Sequence, residues 1–204
     1  MSSLRTTFRT AGVAVRAMLV LTLILGVGYT LVVTGIGQVL LPWQANGSPV
    51  SDEKGTVVGS ALIGQSFTDA DGQALPEYFQ SRPSAAGAGY DGASSGGSNL
   101  GPENPDLVAA IEERRNTIAE REGVAPAEVP ADAVTASASG LDPHISVAYA
   151  LLQAPRVAAE RGLAESEVRA LVESRIQGRD LGFLGEERIN VVQLNLALDE
   201  RGNG

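Results

Sequence analysis

No charged side chain falls between Arg16 and Asp52, and that gap constrains this 204-residue chain more than any other feature. Its centre, Ala17 to Leu41, reads AMLVLTLILGVGYTLVVTGIGQVLL. As a helix, these 25 residues would run about 37 Å, against a bilayer core about 30 Å thick. The segment reads as a transmembrane helix with some tilt. Pro42 and Trp43 follow it, and a tryptophan suits the membrane–water interface. A cleaved signal peptide has a shorter apolar stretch, about 7–15 residues, ending in a small-x-small site. The sequence after this run, PWQANG, offers no convincing site, so the expectation is an uncleaved anchor.

Orientation follows from the arginines. Arg5, Arg9 and Arg16 precede the span with no acid among them, and the first base after it is Lys54. The positive-inside rule places the N-terminus in the cytoplasm and the bulk of the chain outside it. The expected organisation is a cytoplasmic tail over 1–16, a transmembrane helix over 17–41, a linker over 42–55 and an extracytoplasmic α+β domain over 56–204. Gly26, Thr30, Thr34 and Gln38 recur every four residues along the span. Small side chains at that spacing let the backbone of a partner subunit's helix approach closely.

Beyond residue 16 the chain carries 12 basic and 24 acidic side chains, a net charge of −12. Such a surface does not suit nucleic acid. Aromatic residues make up only 4% of the chain against 44% hydrophobic, so the core must be aliphatic and alanine-rich. Cysteine is absent, which excludes disulfides and thiol chemistry.

The outer part reads as a small mixed domain. TVVGSALIGQSF, residues 56–67, suggests one or two short strands or a bulged hairpin. Asn104 and Pro105 have the form of an N-cap and first helical residue, and Gly123 ends that helix. Asp142-Pro143 suggests a second helix start, with Pro155 kinking it or beginning a new one and Gly162 stopping it. ESEVRALVESRIQG is a third helix. The tail from Asn190 to Leu198 fits either a strand or a helix, with the helix capped by Asn190 favoured.

The chemical motifs are sparse. YDGASSGGSNLGPENP, residues 90–105, is a glycine-rich loop running into a helix, and its segment Ser95, Gly96, Gly97, Ser98, Asn99 is the candidate phosphate cradle. It lacks the lysine of a Walker loop, and Glu103 and Asp106 at the helix start would repel a phosphate. A rigid, close-packed loop is the competing reading. His144 is the one histidine, so a zinc site and a serine–histidine pair have little to build on, and Asp142 beside it reads first as a cap. Neither a metal site nor catalytic residues are expected.

Seven segments in order carry a family resemblance: LLPWQANGS, GSALIGQSFTD, YFQSRPSAA, YDGASSGGSNLGPENPDL, VTASASGLDPHIS, PRVAAERGL and LGFLGEERINVVQLNLALD. Together they resemble the C subunit of the Kdp-type potassium-transporting P-type ATPase, over nearly the whole chain beyond the first dozen residues. The resemblance implies a single-span accessory protein of a bacterial inner-membrane pump, itself no enzyme. Its implied partners are a potassium-selecting A subunit, an ATP-hydrolysing B subunit, a small F subunit and membrane lipid. It also implies a catalytic-chaperone role that raises the B subunit's affinity for ATP, with no cofactor held stably by this chain. The alternative is that the glycine-rich loop binds ATP directly, as a distant likeness of an ABC-transporter signature; Ser98-Asn99 stand where that signature has glutamine. The family-motif surface falls on Gln65, Arg82, Pro83, Ser84, Asn99, Asp142, Pro143 and His144. Residues 70–77 look like extra length for the family, and Ala164 stands where a serine cap is more usual.

Overall fold

The computed structural model describes residues 2–202, with side chains from Thr6 to Arg201. Met1, Asn203 and Gly204, the outermost residues of the expected segments, lie outside the described residues, as does the side chain of Arg5. The chain divides into two units, Met1–Ser48 and Pro49–Gly204.

The first unit is helical almost throughout. Helix α1, Ser2–Leu21, passes through a π-helical stretch, Thr22–Tyr29, into α2, Thr30–Leu40. The stretch Thr6–Leu40, 35 residues, is long and apolar enough to cross a bilayer. The wider π turn carries Gly26 and Gly28. There the Thr30 hydroxyl donates to the Leu25 carbonyl, five residues back, at 3.5 Å. Past the helix end, a single turn α3, Pro42–Ala45, folds back on it. The Asn46 amide donates to the Gln38 side-chain oxygen at 3.2 Å and to the Pro42 carbonyl at 2.6 Å. Of the four expected helix-packing residues, Gln38 is thus engaged by its own chain end.

The second unit is α+β. Strands β1, Pro49–Ser51, and β2, Val57–Ser60, form an antiparallel hairpin whose register slips between Val50 and Ser51. The irregular hairpin expected of residues 56–67 takes its first strand from the stretch read as linker. Asp52 closes its loop, its carboxylate accepting from the backbone amides of Lys54 and Thr56 at 3.0 and 2.7 Å. A long, largely irregular segment follows to residue 104. Helix α4, Pro105–Glu122, starts and stops where expected: the Asn104 side chain accepts from the Asp106 amide, and Gly123 adopts the left-handed cap. A single turn α5, Ala131–Val134, leads on to strand β3, His144–Ser146.

The second major helix does not begin at Asp142-Pro143. Helix α6, Val147–Arg161, starts after β3, and Ser146 caps it, its hydroxyl accepting from the Tyr149 amide at 3.0 Å. Asp132 in turn accepts from the Ser146 amide and hydroxyl at 2.7 and 2.8 Å. Pro155 lies inside α6 without starting a new helix; it sits on the exposed side, where water can meet the carbonyl it leaves unpaired. Helix α7, Glu165–Ser174, has Ala at its N-cap, and Glu167 reaches back to accept from the Ala164 amide at 3.2 Å. Strand β4, Arg188–Asn190, pairs antiparallel with β3 and runs straight into α8, Val191–Gly202. Asn190 caps α8 by accepting from the Gln193 amide at 3.2 Å, so the ambiguous tail is a helix. The core packs α6, α7 and α8 around Tyr149, Val157, Val172, Ile189, Leu194 and Leu198.

Between these helices and the irregular segment runs a clamp of side-chain amides. Asn195 on α8 accepts from the Phe79 amide and donates to the Phe79 carbonyl, both at 2.9 Å. Gln153 on α6 treats Gln80 the same way, at 2.7 and 3.2 Å. Each carboxamide pairs like a neighbouring β-strand, and both are buried. Arg156 extends the row by donating to the carbonyls of Pro76 and Tyr78, and Arg161 donates to Glu77. Pro76 and Glu77, at the end of the stretch read as extra length, are tied into this row.

Replacing Asn195 with leucine keeps the branching of the side chain but leaves the buried Phe79 N–H and C=O unpaired. Asn195→Leu is expected to destabilise the protein by about 2–4 kcal/mol. In thermal unfolding of the full chain, Tm should fall by roughly 4–12 °C. Gln153→Leu should behave alike.

Candidate functional site

All the family-motif residues but Asn99 fall in one irregular layer built from residues 62–66, 81–97 and 135–144. Arg82 is its charged centre. Its guanidinium donates to the Thr135 carbonyl through Nε and NH2, and NH1 meets the Asp142 carboxylate at 3.1 Å. The other Asp142 oxygen lies 2.9 Å from His144 Nδ1 and accepts the His144 backbone amide. Partial burial opposes charge on Asp142, but these hydrogen bonds and the neighbouring His144 and Arg82 outweigh it and hold the carboxyl below its usual range. Pro143 is buried, and its carbonyl accepts from the Val191 amide at 2.9 Å.

Ser84 is a second hub. Its hydroxyl donates to the Gly140 carbonyl at 2.6 Å and accepts from the amides of Ala86 and Tyr90 at 3.2 and 2.8 Å. Tyr90 folds back so that its own hydroxyl donates to the Arg82 carbonyl at 2.8 Å. Its ring covers Gly64, where an added Cβ would come within 2.4 Å of it. Burial pushes the Tyr90 phenol up to about 12. Gln65 lies at the edge of the layer and donates to the Val58 carbonyl at 2.8 Å. Asn99 stands apart from the other motif residues, at a left-handed position with φ of 54°.

The candidate phosphate cradle packs on this layer. The Gly96 amide and the Ser95 hydroxyl both donate to the Ser139 carbonyl, at 2.9 and 3.0 Å. Gly97 faces the Ala138 carbonyl, which would lie 3.0 Å from a Cβ placed there. Gly140 has φ of +67°, and a Cβ on it would stand 2.6 Å from the Gly96 carbonyl and 2.7 Å from the Ala86 nitrogen. The glycines thus serve close contact between two backbone segments. At the helix start, Asn104 already occupies the Asp106 amide. Ser98 and Asn99 are exposed.

An open groove of about 860 Å³ lies on the other side of residues 81–90, bounded across from them by α4 and α6. Arg82, Ser84 and Tyr90 line one wall, and Arg114, Arg121 and Tyr149 the other; none of the cradle residues 95–99 does. Its arginines already have partners. Arg114 donates to the Val134 carbonyl, and Arg121 meets the buried Glu122 carboxylate at 2.8 Å and the Tyr149 hydroxyl at 3.3 Å. Arg156 binds the same Glu122 at 2.9 Å, so two arginines share one buried carboxylate. Among the described residues, no group of three or more histidine and carboxylate side chains is placed to hold a metal. The arrangement positions backbone.

The structure brings Arg82, Ser84, Asp142 and His144 into one layer; the residues that complete it from a distance are not among those expected from the sequence. Tyr90 is an ordinary loop aromatic until Gly64 is placed beneath it. Gln153 and Asn195 are polar positions inside apolar helical patterns, a signal of buried hydrogen bonding that was there to be used.

Comparison with known proteins follows this geometry. Residues 11–200 match the family described as K+-transporting ATPase, c chain (KdpC). A potassium-transporting ATPase KdpC subunit of Caulobacter vibrioides is 53% identical over 189 residues, 92% of this chain and 91% of that protein. The corresponding proteins of Myxococcus xanthus and Mycobacterium tuberculosis are 50% identical over 194 residues and 52% over 188, covering 95% and 91% of this chain and 89% and 95% of theirs.

Two outcomes test the layer. Gly140→Ala should destabilise by about 1–3 kcal/mol through its left-handed backbone and the close carbonyl, whereas Gly101→Ala, in open space, should stay within about 0.5 kcal/mol; chemical denaturation reads both. Because Tyr90 is raised in the folded state, its contribution is complete below the unfolded value of about 10 and is lost as pH rises towards about 12. Stability measured from pH 9 to 12 should fall more steeply in the parent than in Tyr90→Phe.

Proposed function

We infer, from the fact that this chain belongs to the KdpC family of potassium-transporting ATPase c chains, that it works as an accessory, non-catalytic subunit that stabilises the pump from the extracytoplasmic side of the bacterial inner membrane. Its partners in this reading are the potassium-selecting, ATP-hydrolysing and small single-helix subunits. One helix would anchor it in lipid, with Gly26, Thr30 and Thr34 on a face that a partner helix can approach. The second unit would dock on the complex as a preformed body. Any rise in the ATP affinity of the hydrolysing subunit is then a coupling between distant sites, transmitted through helices and partner contacts.

One observation carries the choice between this reading and direct ATP binding. Two of the donors a phosphate would need, the Gly96 amide and the Ser95 hydroxyl, are already taken up by the Ser139 carbonyl. The charge asymmetry supports the same sidedness: three arginines before the span and a net −12 after residue 16.

The parent has no cysteine, so a single one at exposed position 94 reports sidedness cleanly. Ser94→Cys, expressed with the whole complex, is expected to react with a membrane-impermeant maleimide in intact cells. Reaction only after permeabilisation would place the loop with cytoplasmic ATP and make the cradle reading the stronger one.

A further inference from the structure

Single large apolar side chains are exposed elsewhere in the second unit, at Val57, Leu62, Leu100 and Val108, but one turn groups three of them. Between α7 and β4, Leu181 is 84% exposed, Phe183 70% and Leu184 49%. The turn is held firmly. Asp180 and Leu184 exchange backbone hydrogen bonds at 2.9 Å each, and below them Gln177 and Arg188 exchange theirs at 2.8 and 3.1 Å. Two ion pairs cross the same turn, Arg179–Glu186 at 2.8 Å and Arg188–Asp180 at 3.2 Å. Leu181 sits at a φ of 54°, a left-handed conformation that a branched side chain rarely adopts. A braced turn that keeps a leucine in strained backbone, with its side chain in water, has the marks of a functional feature.

We propose that the turn Arg179–Glu187 is a preformed apolar anchor that inserts Leu181 and Phe183 into an apolar pocket with a basic rim on another protein subunit of the same complex. The proposal rests on the accessory-subunit reading above. Charge selects the occupant. Asp180, Glu186 and Glu187 flank the tip and are all exposed. Arg188 and Arg179 pair with the first two, so the turn carries a small net negative charge with Glu187 as its unpaired acid, which gives no attraction to an anionic lipid surface. A second copy would bring another net −12 against this one. A protein pocket with basic rim residues satisfies both the apolar tip and its acidic collar. Two side chains are too little area for a whole interface, so the turn acts as the central anchor of a larger contact. Rigidity suits that role, because no loop has to be ordered on binding.

The test uses the full complex in mild detergent and compares the parent with Leu181→Ser/Phe183→Ser, Phe183→Leu and Glu187→Arg. The double variant is expected to recover the multi-span partners at least about tenfold less well, with the Tm of the isolated full chain unchanged. Phe183→Leu should retain most of the recovery, and Glu187→Arg should weaken it without altering the fold. Recovery of partners by the folded double variant at the parent level overturns the anchor while leaving the accessory reading intact. A parent chain that brings out no multi-span partner overturns the accessory reading, and the anchor with it. A polarity-sensitive dye on Phe183→Cys separates protein from lipid. A blue shift only in the assembled complex supports the proposal, and one in partner-free nanodiscs, quenched by nitroxide lipid, overturns it.

Discussion

Two buried carboxamides hold an irregular segment as though it were a strand. Asn195 and Gln153, on different helices, satisfy the backbone donors and acceptors of Phe79 and Gln80. Without such partners the segment could not be buried, since unpaired backbone groups are costly away from water. The aliphatic, alanine-rich helices have few aromatics to fill space, and Phe79 supplies one large buried ring to their cluster. The clamp therefore does two things at once: it seals the helical core and fixes the origin of the glycine- and serine-rich layer that begins two residues later.

From that origin the layer is laid down by side chains that bond to backbone. Arg82 and Ser84 bind main-chain carbonyls far along the chain, at Thr135 and Gly140, and Tyr90 folds back to bind the Arg82 carbonyl. Glycines at 64, 97 and 140 let those segments approach to distances that a Cβ would forbid or crowd. A surface built this way is preorganised. It suits a subunit of a larger complex, and it accounts for the Gly96 amide and Ser95 hydroxyl both bonding to the Ser139 carbonyl. The exposed apolar turn between α7 and β4 is the complement to this rigidity, a small protruding feature on a body that does not need to rearrange.

Much of this was legible in the residues. The charge gap and its length marked the long apolar helix. Asn104-Pro105 and Gly123 bounded α4, and Asn190 capped α8, because local capping chemistry decides helix ends with little help from tertiary structure. Asp142-Pro143 misled for the same reason. Its cap-like form is local, but the carboxylate is held by Arg82, distant in sequence, and β3 pairing with β4 moves the helix start to Ser146. Strands of three residues leave no periodicity to read. The motif list found Arg82, Ser84, Asp142 and His144, yet it did not disclose that they bind one another's segments, a fact that exists only in three dimensions.

The backbone groups of Phe79, Gln80 and Gly96 are bonded within this chain, before any ligand or partner arrives. Amide hydrogen exchange on the full-length protein in nanodiscs, followed with and without ATP, tests this directly. The account predicts that the amides of Phe79, Gln80 and Gly96 exchange slowly in the free protein and that ATP leaves their rates unchanged. A Gly96 amide that exchanges freely alone and becomes protected only when ATP is added would contradict it.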